Sequence, residues 1–396
     1  MKYHLCILLG LSHFVMAQCD ERYQDEIFSE VSVNTVEYTD VYDWSSTDSG
    51  LDMDIYLPVG DTFVNRPLII FAHGGVFVSG NKDNPTMITL CESFAKRGYV
   101  TASIQYRLTS TATLLSPNAS EILTQTVFNS ISDMKAAIRF FRKDIAENNN
   151  TYGIDQSLIF VGGYSAGAVT ATHLTLIDED DIPSNLQSFV DASGGINGNS
   201  GNDGYSSEVS GAINIAGAIH DLSFIDSQDH AVVSIHAQDD NTVNYNCANA
   251  LNNASLPVLC GSGEIHQKLD ELSVYNNLYS INSGGHGAPL VNLETVGIPF
   301  IADFLYTIVC QNTGLIKYNE PALAVFPNPV NSYLSINSLQ KFDKLTISDA
   351  YGRKCLDLKT TIPTTQLDVS ELQNGMYYIT IFNKNEFVDR QIFQKM

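Results

Sequence analysis

Residues 157–167 read Ser157-Leu158-Ile159-Phe160-Val161-Gly162-Gly163-Tyr164-Ser165-Ala166-Gly167. The apolar run over Ser157 to Val161 predicts a strand. Gly162-Gly163 predicts a sharp turn, and a helix follows from near Ser165 to about Leu174. Gly163 to Gly167 is a G-x-S-x-G pattern, and the strand–turn–helix setting is what gives that pattern meaning. The reason is steric. A hydroxyl that must stand clear of the backbone sits on a very tight turn. Residues two before and two after it approach neighbouring chain closely, so they must be small. The turn also sets Ser165 at a helix N-terminus, where backbone N–H groups and the dipole favour developing negative charge.

Outward from this centre the pattern alternates between strand and helix. Strand-like stretches run over Val31 to Tyr42 and Leu51 to Leu57, the second with Leu51, Met53, Ile55 and Leu57 on one face. Pro67 to Phe71 is a second continuous apolar run, Thr86 to Arg97 reads as helix and Tyr99 to Tyr106 as strand. Ile131, Met134, Ile138, Phe141 and Ile145 form one helical stripe, with Lys135, Arg139, Arg142 and Lys143 off it. After the serine come a long Gly/Ser/Asn-rich loop over Asp191 to Ser210, strands at Ala212 to Ala218, Ala231 to Ile235 and Leu278 to Ile281, and a closing helix over Thr295 to Val309. Long loops in compact domains are often functional. The alternation implies an α/β fold with a mostly parallel central sheet covered on both sides. Beyond Lys317, short strands such as Tyr333 to Ile336 and Met376 to Phe382 imply a small all-β sandwich.

Charge divides the chain at the same place. It has 396 residues, with 21 Lys+Arg against 44 Asp+Glu and a net charge of −23. Tyr318 to Met396 carries 8 basic and 8 acidic residues, so the whole deficit lies before it. Between Asp144 and Ile316 the only basic side chain is Lys268. Such an acidic surface disfavours nucleic acid, which needs clustered Lys and Arg, and docking on an anionic membrane by charge alone. At 44 % hydrophobic and 16 % charged the chain is not a disordered polyelectrolyte.

The N-terminus has the form of an export signal: Lys2, an apolar run over Leu5 to Met16, and the small Ala17. Residues 1–17 are expected to be cleaved, after Ala17 or Gln18. Residues 18–317 then form the first domain and 318–396 the second. Bulky Gln18 before Cys19 makes lipid attachment a poor fit. Nothing later resembles a membrane span, so no transmembrane segment is expected. Export puts Cys19, Cys91, Cys247, Cys260, Cys310 and Cys355 in an oxidising compartment. Six cysteines allow 15 pairings in all. Cys247 and Cys260 bracket a short Asn-rich segment that they are placed to staple. Cys91 and Cys310 lie in two helices that a bridge would join.

A serine hydroxyl needs a base, and the base an orienting acid. His286 stands in Ser283-Gly284-Gly285-His286-Gly287 directly after a predicted strand. The acid comes from His236-Ala237-Gln238-Asp239-Asp240-Asn241-Thr242-Val243. Asp240 is favoured by its spacing from His236 and Val243, with Asp239 the runner-up and His236 read as structural. An oxyanion hole requires backbone donors. His73-Gly74-Gly75-Val76 supplies a Gly-rich loop after the third strand, so the amides of Gly75, Val76 and Ala166 are assigned to it. Val76 stands where a third glycine is common. Tyr164 is a candidate for binding substrate. No metal or organic cofactor is implied.

The chain resembles the α/β-hydrolase serine esterases, near the carboxylesterase and hormone-sensitive-lipase branches. The resemblance rests on Asp54-Ile55-Tyr56-Leu57-Pro58, His73-Gly74-Gly75, Tyr106-Arg107-Leu108, the Ser165 elbow, the Asp240 loop and His286, over about residues 30 to 310. It implies an ester substrate, among them acyl esters of polysaccharides, small acyl esters and polyesters. A serine peptidase on the same fold and a non-catalytic binding module are the other readings. Residues 323 to 396 resemble the type A sorting domain of the type IX secretion system, found in Bacteroidetes. That resemblance is carried by Phe326-Pro327-Asn328-Pro329, Asp349-Ala350-Tyr351-Gly352-Arg353, Leu372-Gln373-Asn374-Gly375-Met376-Tyr377-Tyr378 and Lys395. It implies contact with that secretion machinery and a protein that is secreted or attached to the cell surface.

Overall fold

The computed structural model describes residues 19, 21–41, 50–311, 323–326, 328–338, 342–349, 353–359, 364–384 and 386–396. The expected export signal lies outside them. The chain divides into two compact units, Met1–Gln311 and Asn312–Met396.

The first unit is built on one eight-stranded sheet: β1 (Val31–Thr39), β2 (Leu51–Pro58), β3 (Arg66–Ala72), β4 (Val100–Ile104), β5 (Ile154–Tyr164), β6 (Gly211–Ile215), β7 (Ala231–Ala237) and β8 (Asn276–Ile281). The spatial order is β1-β2-β4-β3-β5-β6-β7-β8. Pairing from β4 through β8 is parallel, and β2 alone is antiparallel to its neighbours. Every residue of β3, β4 and β6 is buried. That explains the continuous apolar run of β3 over Pro67 to Ala72, because helices cover both faces of such a sheet. β5 sits in the middle, so its C-terminal end lies at the centre of the row of loops where sites form in open α/β sheets.

Helix α1 (Pro85–Lys96) starts at Asn84, whose side chain accepts from the amides of Thr86 and Met87. Helix α2 (Ala119–Glu147) carries the expected stripe inward, with Ile131, Met134, Ile138 and Phe141 buried. Three cations off the stripe do not simply face water. Lys135 Nζ donates to Ile196 O (2.6 Å), Arg139 to Asn197 O (2.6 Å) and Gly201 O (2.9 Å), and Arg142 to Ser206 O (2.7 Å) and Glu208 O (2.9 Å). The Gly/Ser/Asn-rich loop has few apolar side chains to bury, so its carbonyls are held by these donors instead. Burial pushes the Lys135 ammonium down to about 8. The same loop sends Ser200 Oγ to Asp133 Oδ1 (2.6 Å), and Asp133 pairs with Arg107 at 2.7 Å. The loop is thus an anchored structural segment.

Among the described residues two bridges occur, Cys247–Cys260 and Cys19–Cys310. The expected Cys91–Cys310 pair does not form: Cys91 is a free, fully buried thiol. The N-terminal segment intercepts Cys310. Tyr23 N donates to Arg97 O (2.8 Å) and Gln24 Nε2 to Asp303 Oδ1 (2.9 Å), which lays this segment between the end of α1 and the last helix, Ile298–Gln311. By length and apolarity alone Leu293–Cys310 is also a candidate membrane span, contrary to the expectation that no later stretch resembles one. Half of that stretch is buried inside the protein, as in a core helix. It begins with a π-turn at Leu293–Gly297, so regular α-helix starts three residues after the expected Thr295.

The second unit has two antiparallel sheets. One orders Leu323–Phe326, Tyr333–Ser338 and Thr364–Asp368; the other Lys354–Lys359, Lys344–Asp349, Gly375–Asn383 and Glu386–Lys395. Leu334, Ile336, Leu345, Ile347, Ile379 and Phe393 form its core. Alternating inward and outward residues in these strands explain why short segments suffice.

Phe141→Ala in α2 is expected to lower unfolding free energy by about 3–5 kcal/mol, because the ring is fully buried and its removal leaves a cavity. Urea denaturation of the purified chain measures it; a loss below 1 kcal/mol contradicts this packing.

Candidate active site

The end of β5 and helix α3 (Ala166–Leu176) meet at Ser165, which has φ 56° and ψ −118°. A non-glycine residue there is strained and persists only where its surroundings enforce it. The surroundings do. A Cβ on Gly167 would stand 2.0 Å from Ala72 O, and one on Gly163 would stand 2.4 Å from Gly167 C. Ser165 N donates to Ile215 O (2.9 Å), which ties the turn to β6.

His286 lies in the loop after β8 and Asp240 in the loop after β7. Ser165 Oγ donates to His286 Nε2 (2.8 Å), and His286 Nδ1 donates to Asp240 Oδ2 (2.7 Å). The other oxygen, Asp240 Oδ1, accepts from the amides of Thr242 (2.8 Å) and Val243 (3.1 Å). Burial alone would raise the Asp240 carboxyl. Hydrogen bonds from His236, His286 and the Thr242 amide outweigh burial and hold it far below the ordinary carboxylate range.

Asp239 points elsewhere. Its carboxylate accepts from Gly284 N (3.0 Å) and Gly285 N (2.8 Å), and those two bonds lower its pKa below the usual carboxylate value. It fixes the glycine loop that carries His286 and does not touch the imidazole. His236 does more than fill space: its Nε2 donates to Asp240 Oδ2 (3.2 Å) and Val243 O (2.9 Å), while Nδ1 faces Ser262 Oγ (2.9 Å). The sequence reading missed this contact. The four-residue spacing between His236 and Asp240 was the available signal.

The Gly-rich loop after β3 passes directly beside the elbow. A Cβ on Gly74 would lie 3.2 Å from Ser165 Cβ, and one on Gly75 would strike Ser79 O at 1.9 Å. Val78 N and Ser79 N both donate to Gly75 O, so the loop curls back on itself. Val76, at the position where a third glycine is common, takes a left-handed φ of 56°. Tyr106 OH donates to His73 O (2.7 Å) and its ring stacks on His73 at 4.4 Å, bracing the loop from below. Among the described residues, the amides of Gly75, Val76 and Ala166 donate to no protein acceptor. Tyr164, the candidate for binding substrate, packs its ring against His286 (5.1 Å) and donates from its hydroxyl to His286 O (3.1 Å). Burial pushes that phenol up to about 12, so it stays a donor. Among the described residues, no group of three or more His, Cys, Asp or Glu side chains is arranged to hold a metal ion.

The lowered pKa of Asp240 has a pH signature. The folded protein keeps it ionised where the unfolded chain, with a carboxyl near ~3.9, takes up a proton. Its contribution to stability is therefore present above about pH 4 and lost as pH falls below that. Urea midpoints at pH 5 and pH 3 should differ more in the natural chain than in Asp240→Asn. Equal differences would show that Asp240 is not held ionised.

Residues 53–199 match the BD-FAE family, and residues 324–395 match the secretion system C-terminal sorting domain. No curated protein matches the chain. Among solved structures, a truncated carbohydrate esterase from gut microbiota is 20 % identical, with a TM-score of 0.51, over 72 % of this chain and 98 % of its own. The thermophilic esterase Est2 of the Planctomycetes species Thermogutta terrifontis is 19 % identical, with a TM-score of 0.48, over 72 % of this chain and 95 % of its own. At this identity the carbohydrate esterase, with a TM-score of 0.51, speaks for the fold alone. The family match adds the chemistry, and the chain is an ester hydrolase whose α/β-hydrolase unit carries a BD-FAE esterase domain, followed by a secretion-system sorting domain.

Proposed function

We propose that this protein is a secreted serine esterase that cleaves carboxylic esters through an acyl-enzyme on Ser165. The observation that carries the reading is the unbroken relay Ser165 Oγ–His286 Nε2 and His286 Nδ1–Asp240 Oδ2, at 2.8 and 2.7 Å. In the first half-reaction Ser165 Oγ attacks the ester carbonyl and its proton passes to His286 Nε2. The carbonyl oxygen becomes negative and is met by the amides of Gly75, Val76 and Ala166. Collapse of the tetrahedral species breaks the bond to the alcohol oxygen, which takes the proton from His286. Water then repeats the sequence on the acyl-enzyme, releasing the carboxylic acid and restoring the serine hydroxyl. Asp240 keeps its charge throughout and stabilises the imidazolium. Tyr164 and Asp239 hold His286 and its loop in place.

Export follows from the two ends of the chain. The expected signal would direct it out of the cytoplasm with cleavage after Ala17 or Gln18. The sorting domain would pass it to the secretion machinery and so to the medium or the cell surface.

Ser165→Ala is expected to abolish turnover of p-nitrophenyl acetate and labelling by a fluorophosphonate; an undiminished rate removes Ser165 from the mechanism. Asp240→Asn should lower kcat by about 10⁴, as loss of the orienting acid does in serine hydrolases. Asp239→Asn should cost only about tenfold, since it disturbs a loop anchor worth one or two hydrogen bonds. If the two losses exchange places in steady-state kinetics, the acid has been assigned to the wrong neighbour.

A further inference from the structure

An apolar chamber opens beside the elbow, bounded by the Gly-rich loop, one face of α3, helix α2 and the segment 250–259. From α3 it receives Ala166, Val169 and His173, spaced i, i+3 and i+7 along one face. Val76 and Ala166, whose amides face no protein acceptor, are among its walls; Ser165 and His286 are not. This fixes which half of an ester enters. The alcohol must leave beside His286, which supplies its proton. The chamber is walled by two residues whose amides are the donors assigned to the carbonyl oxygen and not by His286, which suits it to the acyl half.

Its chemistry is equally one-sided. The surface is almost wholly carbon. The polar side chains along it are already occupied or turned to carbon. Thr124 Oγ1 donates to Ser120 O (2.8 Å). His173 Nδ1 meets Val169 O (2.8 Å), and its Nε2 accepts from His220 N (3.0 Å). The His220 ring stacks on Phe224. A hydroxyl or charge carried into this space would lose its water and gain no partner. One wall is formed by Leu251, Leu256 and Leu259, on the segment stapled by Cys247–Cys260. Leu251 itself holds a left-handed φ of 55°.

We propose that this chamber is the acyl site and selects an unsubstituted hydrocarbon acyl group of about four to six carbons, with Leu251 on the stapled segment setting the limit. The proposal rests on the esterase reading above and adds the acyl class to it. Methylene groups entering such a space typically raise kcat/KM by about tenfold or more each, whereas an added hydroxyl is discriminated by up to about 10².

The test uses the full chain with p-nitrophenyl acetate, butyrate, hexanoate, decanoate and 3-hydroxybutyrate. The expected profile rises at least tenfold from acetate to butyrate or hexanoate, falls by decanoate, and prefers butyrate over 3-hydroxybutyrate by at least tenfold. Leu251→Trp, and separately Leu259→Trp, should cut the hexanoate-to-acetate ratio of kcat/KM by about tenfold. Acetate cleaved as well as hexanoate by the natural chain overturns the acyl site and leaves the Ser165 esterase standing. A soluble Leu251→Trp protein with an unchanged ratio does the same to the role of Leu251. Failure to cleave any of the esters overturns both readings.

Discussion

The first turn of α3 lies so close to the end of β3 that no side chain fits between them. A Cβ on Gly167 would stand only 2.0 Å from Ala72 O, well inside contact distance. Everything chemical in the catalytic unit follows from that contact. It forces the tight turn at Ser165 and brings the Gly-rich loop after β3 against the nucleophile. It also aims the N-terminus of α3 at the space between them. Parallel pairing of β5, β6, β7 and β8 then delivers the two other loops to the same edge. The sheet supplies position and the loops supply groups, which is the usual division of labour in this fold class.

A buried polar chain runs behind the site. His266 bonds Ser234, Ser234 bonds Asn214, Asn214 bonds Ser262, and Ser262 bonds His236, which reaches Asp240. Each link stiffens the next, although Asn214 joins the chain through Nδ2 alone and its Oδ1 has no partner among the described residues. It fixes the Asp240 carboxylate from the interior while the amides of Thr242 and Val243 fix it from its own loop. The acid therefore has little freedom to follow the imidazole, and the imidazole is held to it.

Much of this was legible in the sequence because it is local. The strand–turn–helix about Ser165 needs only eleven consecutive residues, and the α2 stripe only a period of 3.6. The glycines flanking His286 and the spacing from His236 to Val243 likewise carry their meaning within one loop. What the sequence concealed depends on distant partners. Lys135 and Arg139 look like a solvated face until the loop at 196–201 lies over them. Cys310 selects Cys19 because the N-terminal segment runs past the last helix, a fact of tertiary placement that no spacing encodes. Asp239 and Asp240 are adjacent and chemically identical, and they differ only in which way the backbone turns each carboxylate. The apolar chamber gathers residues from positions 76 to 259 and has no linear signature.

The Cys19–Cys310 bridge joins residues 291 positions apart and closes nearly the whole catalytic unit into a covalent ring. In the chain-entropy view, a closure of this length disfavours the unfolded ensemble by roughly 5–6 kcal/mol. It also changes what a protease can accomplish outside the cell. One nick in any loop between the two cysteines opens the ring and releases no fragment, and the cut ends stay tethered near their native neighbours. A cut beyond Gln311 sheds the sorting region and leaves the ring whole.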